Sequence, residues 1–177
     1  MIEQCQCCGS EIRRYKGTFK SGPNYILSQD NRTVTNCQDG WNANAIGNEI
    51  IPMGTITIIK FKIEKTTISN IMIGVAPQSI DQKLSRAFEK SGWYFYCLDG
   101  GLFCQPPLSY NDFKFIDDSK LPEGTIITLI VDTSIGKISF KINDGLIKTA
   151  YQVTFPENIV PCVMLYSKGD SVRIMQN

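Results

Sequence analysis

The chain has 177 residues, with 18 Lys and Arg against 17 Asp and Glu and no histidine. A chain of this length buries roughly 70% of the surface that its unfolded form exposes, so one domain folds without metal ions or disulfides. The balanced charge contains no stripe of cations, which argues against a nucleic-acid partner. The missing histidine removes the commonest general base and metal ligand, which disfavours most hydrolase mechanisms.

No stretch approaches the roughly 20 consecutive apolar residues of a membrane span, and residues 1–10 lack the apolar segment of a signal peptide. We therefore expect a cytoplasmic protein that does not insert into membranes. The seven cysteines fit a reducing compartment. Cys97, Cys104 and Cys162 lie in apolar, strand-like runs, which predicts that these three are buried free thiols.

The first predicted unit is an N-terminal segment, residues 1–24, that contains Cys5, Cys7 and Cys8. Cys5 and Cys8 have the spacing of half a tetrahedral zinc site. The other half would have to come from Cys37 or from another chain, because no histidine is present. We expect a reduced, flexible segment without a bound metal ion, with Cys5 and Cys8 as the candidate ligands.

The second predicted unit, residues 25–177, contains short apolar segments that end at Gly, Pro, Asn or Asp, a pattern typical of an antiparallel sandwich. One short helix is predicted over an edge, because Ser79 and Gln82 form a capping box and apolar residues follow at helical spacing until Gly92. Strands are predicted at residues 25–28, 32–37, 55–64, 71–76, 93–98, 102–105, 125–131, 137–143, 147–155, 159–165 and 171–175.

Residues 124–145 predict a hairpin of two unlike strands. The first strand is almost continuously apolar from Ile126 to Val131, as in a central strand covered on both faces. The second alternates, with Ile138 and Phe140 on one face and polar residues on the other. Asp132 and Gly136 favour the turn between the two strands, because a carboxylate bonds nearby backbone and Gly adopts a positive φ.

Four stretches resemble the SPRY domain, the core of the B30.2 family: residues 71–76, 92–100, 124–145 and 159–174. The resemblance implies a two-sheet antiparallel β-sandwich, a concanavalin-like jelly roll of the SPRY type, with at most one short helix. It also implies a binding module that is not an enzyme and needs no cofactor. No Leu-Asp-Pro segment of a PRY subdomain is found, so membership of a ubiquitin-ligase group is not implied.

The resemblance also implies a partner site built from loops. Family members that bind short Asn-rich peptides use loops that correspond here to residues 36–41, 79–90 and 166–170. Ser167 and Lys168 stand where those members have Trp-Gly, which argues against the same peptide. The candidate partner-binding residues are Gln38, Asp39, Trp41, Arg86, Tyr166 and Lys168.

Trp41 and Tyr166 are the candidate anchors, because loop aromatics supply large contact areas and dominate interface energetics. Trp41 lies in polar sequence, so it either contacts a partner or packs locally. The same two alternatives hold for Tyr166. Arg86 either reaches a partner's carboxylate or is simply solvated.

The leading hypothesis is an adaptor, or a subunit of a multiprotein complex, that binds a protein or a short peptide. The first alternative is a carbohydrate-binding lectin with calcium, for which Asp39, Trp41 and Asn42 offer an aromatic platform beside oxygen ligands. The second is an enzyme that uses a cysteine or a carboxylate. The candidate carboxylates for acid/base catalysis are Asp117, Asp118 and Glu123.

Overall fold

The computed structural model describes residues 3–104 and 120–176, and these form two sheets, antiparallel except for one pair of strands, packed face to face. The fold class expected from the sequence is thus confirmed. The first sheet has the strand order β12-β11-β10-β6-β14-β4-β3, with β2 paired to β6 and β1 paired to β2. Its strands are β1 (Glu3–Gln4), β2 (Glu11–Arg14), β3 (Tyr25–Leu27), β4 (Thr33–Asn36), β6 (Thr55–Lys65), β10 (Ile126–Asp132), β11 (Lys137–Ile142), β12 (Lys148–Gln152) and β14 (Ser171–Ile174).

The second sheet has five strands in the order β5-β13-β7-β8-β9. Strand β5 was not expected from the sequence, because its Asn-Ala-Asn-Ala context lacks the β-branched alternation of a strand. The predicted end of the strand at Gln105 lies outside the described residues. The strands of this sheet are β5 (Ala43–Ile46), β7 (Ile71–Pro77), β8 (Trp93–Tyr96), β9 (Leu102–Cys104) and β13 (Ile159–Leu165).

The predicted hairpin is present as β10 and β11, paired from Ile127↔Ile142 to Asp132↔Lys137. Strand β10 also pairs with β6 along its whole length, so it is central, as its apolar run indicates. The Asp132 carboxylate accepts the backbone N–H of Ser134 at 3.0 Å. Gly136 has φ +69°, and a Cβ there would lie 1.8 Å from the Val153 carbonyl oxygen, so only glycine fits this turn.

The main core lies between the two sheets. Strand β6 contributes Ile59, Phe61 and Ile63, all fully buried. Across the interface, the rings of Phe95 and Phe140 lie 5.5 Å apart. Burial of each such side chain contributes about 1.5–3 kcal/mol, so this layer supplies much of the free energy of folding.

Part of the N-terminal segment packs against the sandwich. Strand β2 pairs in parallel with β6, in register from Glu11↔Thr55 to Arg14↔Ile58. Tyr15 and Phe19 follow β2 and are buried in the main core. A domain division between residues 24 and 25 stays a prediction, although core residues lie on both sides of it.

The predicted capping-box helix is not formed. The Ser79 hydroxyl donates to the Glu157 carboxylate at 2.6 Å, and the Gln82 amide donates to the Tyr25 hydroxyl at 2.8 Å, so neither side chain caps a helix. The described residues contain one helix, a 3₁₀ turn at Ala87–Glu89. No helix in this part of the chain is long and apolar enough to cross a membrane.

Candidate functional site

Five aromatic side chains form a cluster on the outer face of the second sheet, which we call the outer aromatic cluster: Trp41, Phe88, Tyr96, Phe103 and Tyr166. The Trp41 ring is central, with centroid distances of 5.2 Å to Phe88, 5.9 Å to Tyr96 and 5.4 Å to Tyr166. Phe103 lies 5.8 Å from Phe88 and 5.6 Å from Tyr96. All five contacts are edge-to-face, the geometry that the ring quadrupoles favour.

Two loops bring Trp41 and Tyr166 together by crossing the same edge of the sandwich. Residues 37–42 connect β4 to β5, and residues 166–170 connect β13 back to β14. Because β4 pairs antiparallel with β14, and β5 with β13, the two loops run side by side in opposite directions. A hydrogen bond of 2.9 Å from the Gly40 N–H to the Tyr166 carbonyl ties them.

Asn36 holds the base of both loops. Its side chain is 2% exposed, and its amide donates to the carbonyls of Leu165 (3.3 Å) and Ser167 (3.1 Å). Its carbonyl oxygen accepts the Gln38 N–H at 3.3 Å. Buried polar groups of this kind are costly to leave unpaired, so Asn36 fixes the loop geometry.

Asp39 and Lys168 meet at the tips of these loops. The Asp39 carboxylate accepts the backbone N–H of Lys168 at 2.8 Å. Both residues are exposed, as is Gln38. The three polar candidates therefore line the rim beside the half-buried rings of Trp41 and Tyr166.

A third segment, residues 78–90, covers the outer face of the second sheet. Asn44 of β5 donates to the carbonyls of Gln82 (3.2 Å) and Leu84 (2.8 Å). The Arg86 N–H donates to the Trp41 carbonyl at 2.8 Å. These bonds hold Phe88 against the cluster and place Arg86 beside Trp41.

Arg86 is exposed and adopts a left-handed backbone conformation, with φ 55°. Its guanidinium pairs with the Glu89 carboxylate and lies 5.7 Å from the centre of the Phe88 ring. The side chain is thus held near the cluster by contacts within its own segment. Exposed pairs of this kind contribute little stability, so the guanidinium can exchange Glu89 for a partner's carboxylate at small cost.

All six candidate residues lie on the surface made by these three segments, which we call the loop surface. The sequence did not indicate that Phe88, Tyr96 and Phe103 form the outer aromatic cluster with Trp41 and Tyr166. Side chains alternate along β8, so Tyr94 and Tyr96 lie on the face opposite Trp93 and Phe95. Because residues 79–92 were interpreted as a capped helix, the apolar pair of Ala87 and Phe88 was not recognised as a contact with the outer face of the second sheet.

Tyr96 links the cluster to the neighbouring loop. Its hydroxyl bonds the Asn70 side-chain oxygen, and the Tyr166 N–H donates to the Asn70 carbonyl at 3.1 Å. Burial raises the pKa of Tyr96 to about 12, so at neutral pH its hydroxyl keeps the proton that it donates.

Of the residues considered for catalysis, the structure describes Glu123 and the cysteines. Asp117 and Asp118 lie outside the described residues. Glu123 is exposed and accepts the Thr66 N–H at 3.1 Å. Burial raises the pKa of Cys97 far above its usual range and that of Cys162 to about 12, so both thiols stay protonated.

The N-terminal thiols have a different environment. A hydrogen bond with Cys7 is the main cause that lowers the pKa of Cys5 to about 7, and the same contact raises that of Cys7 to about 11. In the described residues, Cys5, Cys7 and Cys8 form the one group of three or more potential metal ligands.

Asp39 is the acidic residue of the lectin alternative. One oxygen of its carboxylate already accepts the Lys168 backbone N–H within the loop surface.

The architecture defines a class of protein, a two-sheet sandwich whose connecting loops meet at one edge. The family model of the SPRY domain matches residues 59–176, which is more than half of the chain. The chain therefore belongs to the SPRY domain family. SPRY domains are protein-interaction modules.

Solved structures support the same assignment at the level of the fold. The SPRY domain of human HERC1 has a TM-score of 0.66 and 22% sequence identity, covering 86% of this chain and 92% of that chain. The PSpry domain of TRIM65 also has a TM-score of 0.66, with 10% identity, covering 93% of this chain and 91% of that chain. Among curated protein sequences, none matches this chain.

Proposed function

We propose that this chain is a non-catalytic protein-binding module that docks a protein or short peptide on its loop surface, as an adaptor or as a subunit of a larger assembly. The observation that carries the proposal is the convergence of Trp41 and Tyr166 on one edge, both half-buried, within a rim of exposed polar residues. Interface hot spots have this composition, with central aromatic anchors surrounded by polar groups.

Trp41 is half-buried, which is compatible both with local packing and with contact with a partner, the two alternatives left open by the sequence. Its contacts with three other rings support local packing. Its remaining exposed area supports contact with a partner, for which the ring is already oriented. Pre-organised anchors of this kind lower the entropy lost on binding.

The charged rim suggests what the partner contains. Arg86 and Lys168 are exposed on two of the three segments that make the loop surface. We infer that the partner has an apolar side chain that packs on Trp41 and Tyr166, next to a carboxylate that reaches Arg86.

All seven cysteines are free, which supports a cytoplasmic location as part of this proposal.

The test is quantitative capture of partners from the native source, followed by affinity measurement with the partner identified. Tyr166→Ala and Lys168→Glu are expected to weaken binding, by about tenfold or more for the aromatic anchor. Leu146→Ser is the matched control, because Leu146 is 84% exposed on the turn between β11 and β12 of the other sheet. Unchanged affinity in both loop variants, with the fold intact by circular dichroism, would overturn the loop surface as the docking site.

A further inference from the structure

Three thiols converge on the turn between β1 and β2. The Sγ atoms of Cys5, Cys7 and Cys8 lie within 4.8 Å of one another, and those of Cys5 and Cys7 are 2.9 Å apart. None of the three forms a disulfide, and Cys7 and Cys8 are exposed. Cys5 and Cys8 have the spacing of half a tetrahedral site, and the three cysteines are also close enough in sequence to bind a soft metal ion together; in the structure all three sulfur atoms are close in space.

The backbone holds this turn in place. The Gly9 N–H donates to the Cys5 carbonyl at 2.8 Å, and the Cys5 N–H donates to the Ser10 carbonyl at 2.9 Å. Gly9 has φ +73°, which the turn requires and which a residue with a Cβ adopts at a cost. Strand β2 continues from this turn into the first sheet, so the thiols are attached to the sandwich.

The Ser10 hydroxyl adds a link to the rest of the domain. It lies 3.4 Å from the hydroxyl of Ser134 in the turn between β10 and β11. The Cys8 thiol donates to the same Ser10 oxygen at 3.3 Å. The turn therefore contacts the hairpin of the first sheet, and its three sulfur atoms lie close together.

The donor set determines which ligand fits. Within residues 3–104 and 120–176, only sulfur belongs to this group of potential ligands, since no carboxylate joins it. Thiolates are soft ligands that select Cu⁺ and Zn²⁺ over Mg²⁺ and Ca²⁺. Three thiolates complete a trigonal site for Cu⁺, whereas Zn²⁺ keeps a fourth position open for water or another donor.

We propose that Cys5, Cys7 and Cys8 form a three-thiolate site for one soft d¹⁰ metal ion, Cu⁺ or Zn²⁺. Three negative thiolates at this separation repel one another, and a bound cation removes that repulsion. The site lies on the first sheet and shares no residue with the loop surface, so it is independent of the proposed partner binding.

The three proposed ligands lie within four consecutive residues, and this decides which measurement can report metal binding. An unfolded chain with such local ligands still binds metal, so the difference in affinity between folded and unfolded states is small. Melting temperature is therefore a poor measure of binding here. Stoichiometry, affinity and thiol protection are direct measures.

The experiment uses the full chain, reduced by a phosphine that is then removed, and titrated in separate arms with Cu⁺ and Zn²⁺ against a competing chelator. We expect about one ion per chain in at least one arm, with a thiolate-to-metal charge-transfer band for Cu⁺. The bound ion should protect Cys5, Cys7 and Cys8 from alkylation, as read by mass spectrometry. The arm that saturates identifies the ion.

The variants distinguish three thiolates from two. Cys7→Ser should weaken metal binding by about tenfold or more. Loss of a residue that only hydrogen-bonds to a metal ligand already has an effect of that size, and Cys7 is itself a proposed ligand. The triple variant Cys5→Ser, Cys7→Ser, Cys8→Ser should lose the ion. Cys37→Ser is the matched control, because Cys37 is also exposed but lies outside the cluster, and it should bind as the wild type does.

Three results would overturn the site. The first is no binding in either arm above that of the triple variant. The second is an affinity of Cys7→Ser equal to that of the wild type, which would show a ligand pair. The third is about half an ion per chain, which would show a tetrahedral site shared by two chains.

Discussion

The interior between the sheets and the outer aromatic cluster both contain packed rings, but they are assembled from different parts of the chain. Phe95 and Phe140 project toward each other from regular strands of the two facing sheets and are fully buried. Trp41 and Tyr166 project from loops and remain half-buried. Alternation along the strands therefore determines which side chains enter the interior. Hydrogen bonds between the loops determine where Trp41 and Tyr166 lie in the cluster.

The largest expected effect comes from breaking the interior. Phe140→Ala removes a fully buried ring that packs on Phe95, so we expect a loss of about 3–5 kcal/mol in the free energy of unfolding. Chemical denaturation at constant pH measures it. Leu146→Ala, at an exposed position, is the control and should change stability by less than about 0.5 kcal/mol. A similar small loss in both variants would contradict the assignment of Phe140 to the core.

A smaller effect is expected from releasing the segment that covers the outer face. Asn44→Ala leaves the carbonyls of Gln82 and Leu84 without their donor, at a cost of about 1–3 kcal/mol. Hydrogen exchange should then accelerate in residues 86–90 while amides of β7 and β13 stay protected. Asn158→Ala, at an exposed asparagine, is the control. Equal acceleration in the strands would show that the outer segment and the interior unfold as one unit.

The smallest effect concerns pH and the loop that carries Tyr166. Burial raises the pKa of Asp170, whose carboxylate accepts the Thr67 N–H at 2.9 Å. Between that raised value and the unfolded value of about 3.9, the folded state binds a proton that the unfolded chain lacks. As pH falls through this window, the wild type should gain stability relative to Asp170→Asn. Thermal denaturation from pH 7 to pH 4 checks this, and a difference that does not change with pH would argue against the raised pKa.

The sequence predicted the fold best where the pattern of side chains repeats along a strand. The β10 and β11 hairpin, with Asp132 and Gly136 in its turn, is observed as predicted. Strand β5 was missed because its inward residues, Ala43 and Ala45, are too small and its outward Asn44 too polar to form a visible alternation. Its position is set by pairing with β13, which sequence alone does not show.

For the loop surface, the sequence indicated the residues but not their arrangement. The six candidates occur in segments that are far apart in the chain. Their convergence depends on antiparallel pairing of β4 with β14 and of β5 with β13. The helix predicted after Ser79 fails for a related reason, because distant partners, Glu157 and Tyr25, bind the two side chains that would have capped it.

The chain contains two tryptophans, and each belongs to a different one of the two regions. Trp93 is 7% exposed in the interior, with its ring 5.4 Å from that of Phe155. Trp41 is the centre of the outer aromatic cluster. Trp41→Phe thus leaves fluorescence emission from the interior, and Trp93→Phe leaves emission from the loops. The protein carries its own pair of optical reporters, one for the interior and one for the loop surface.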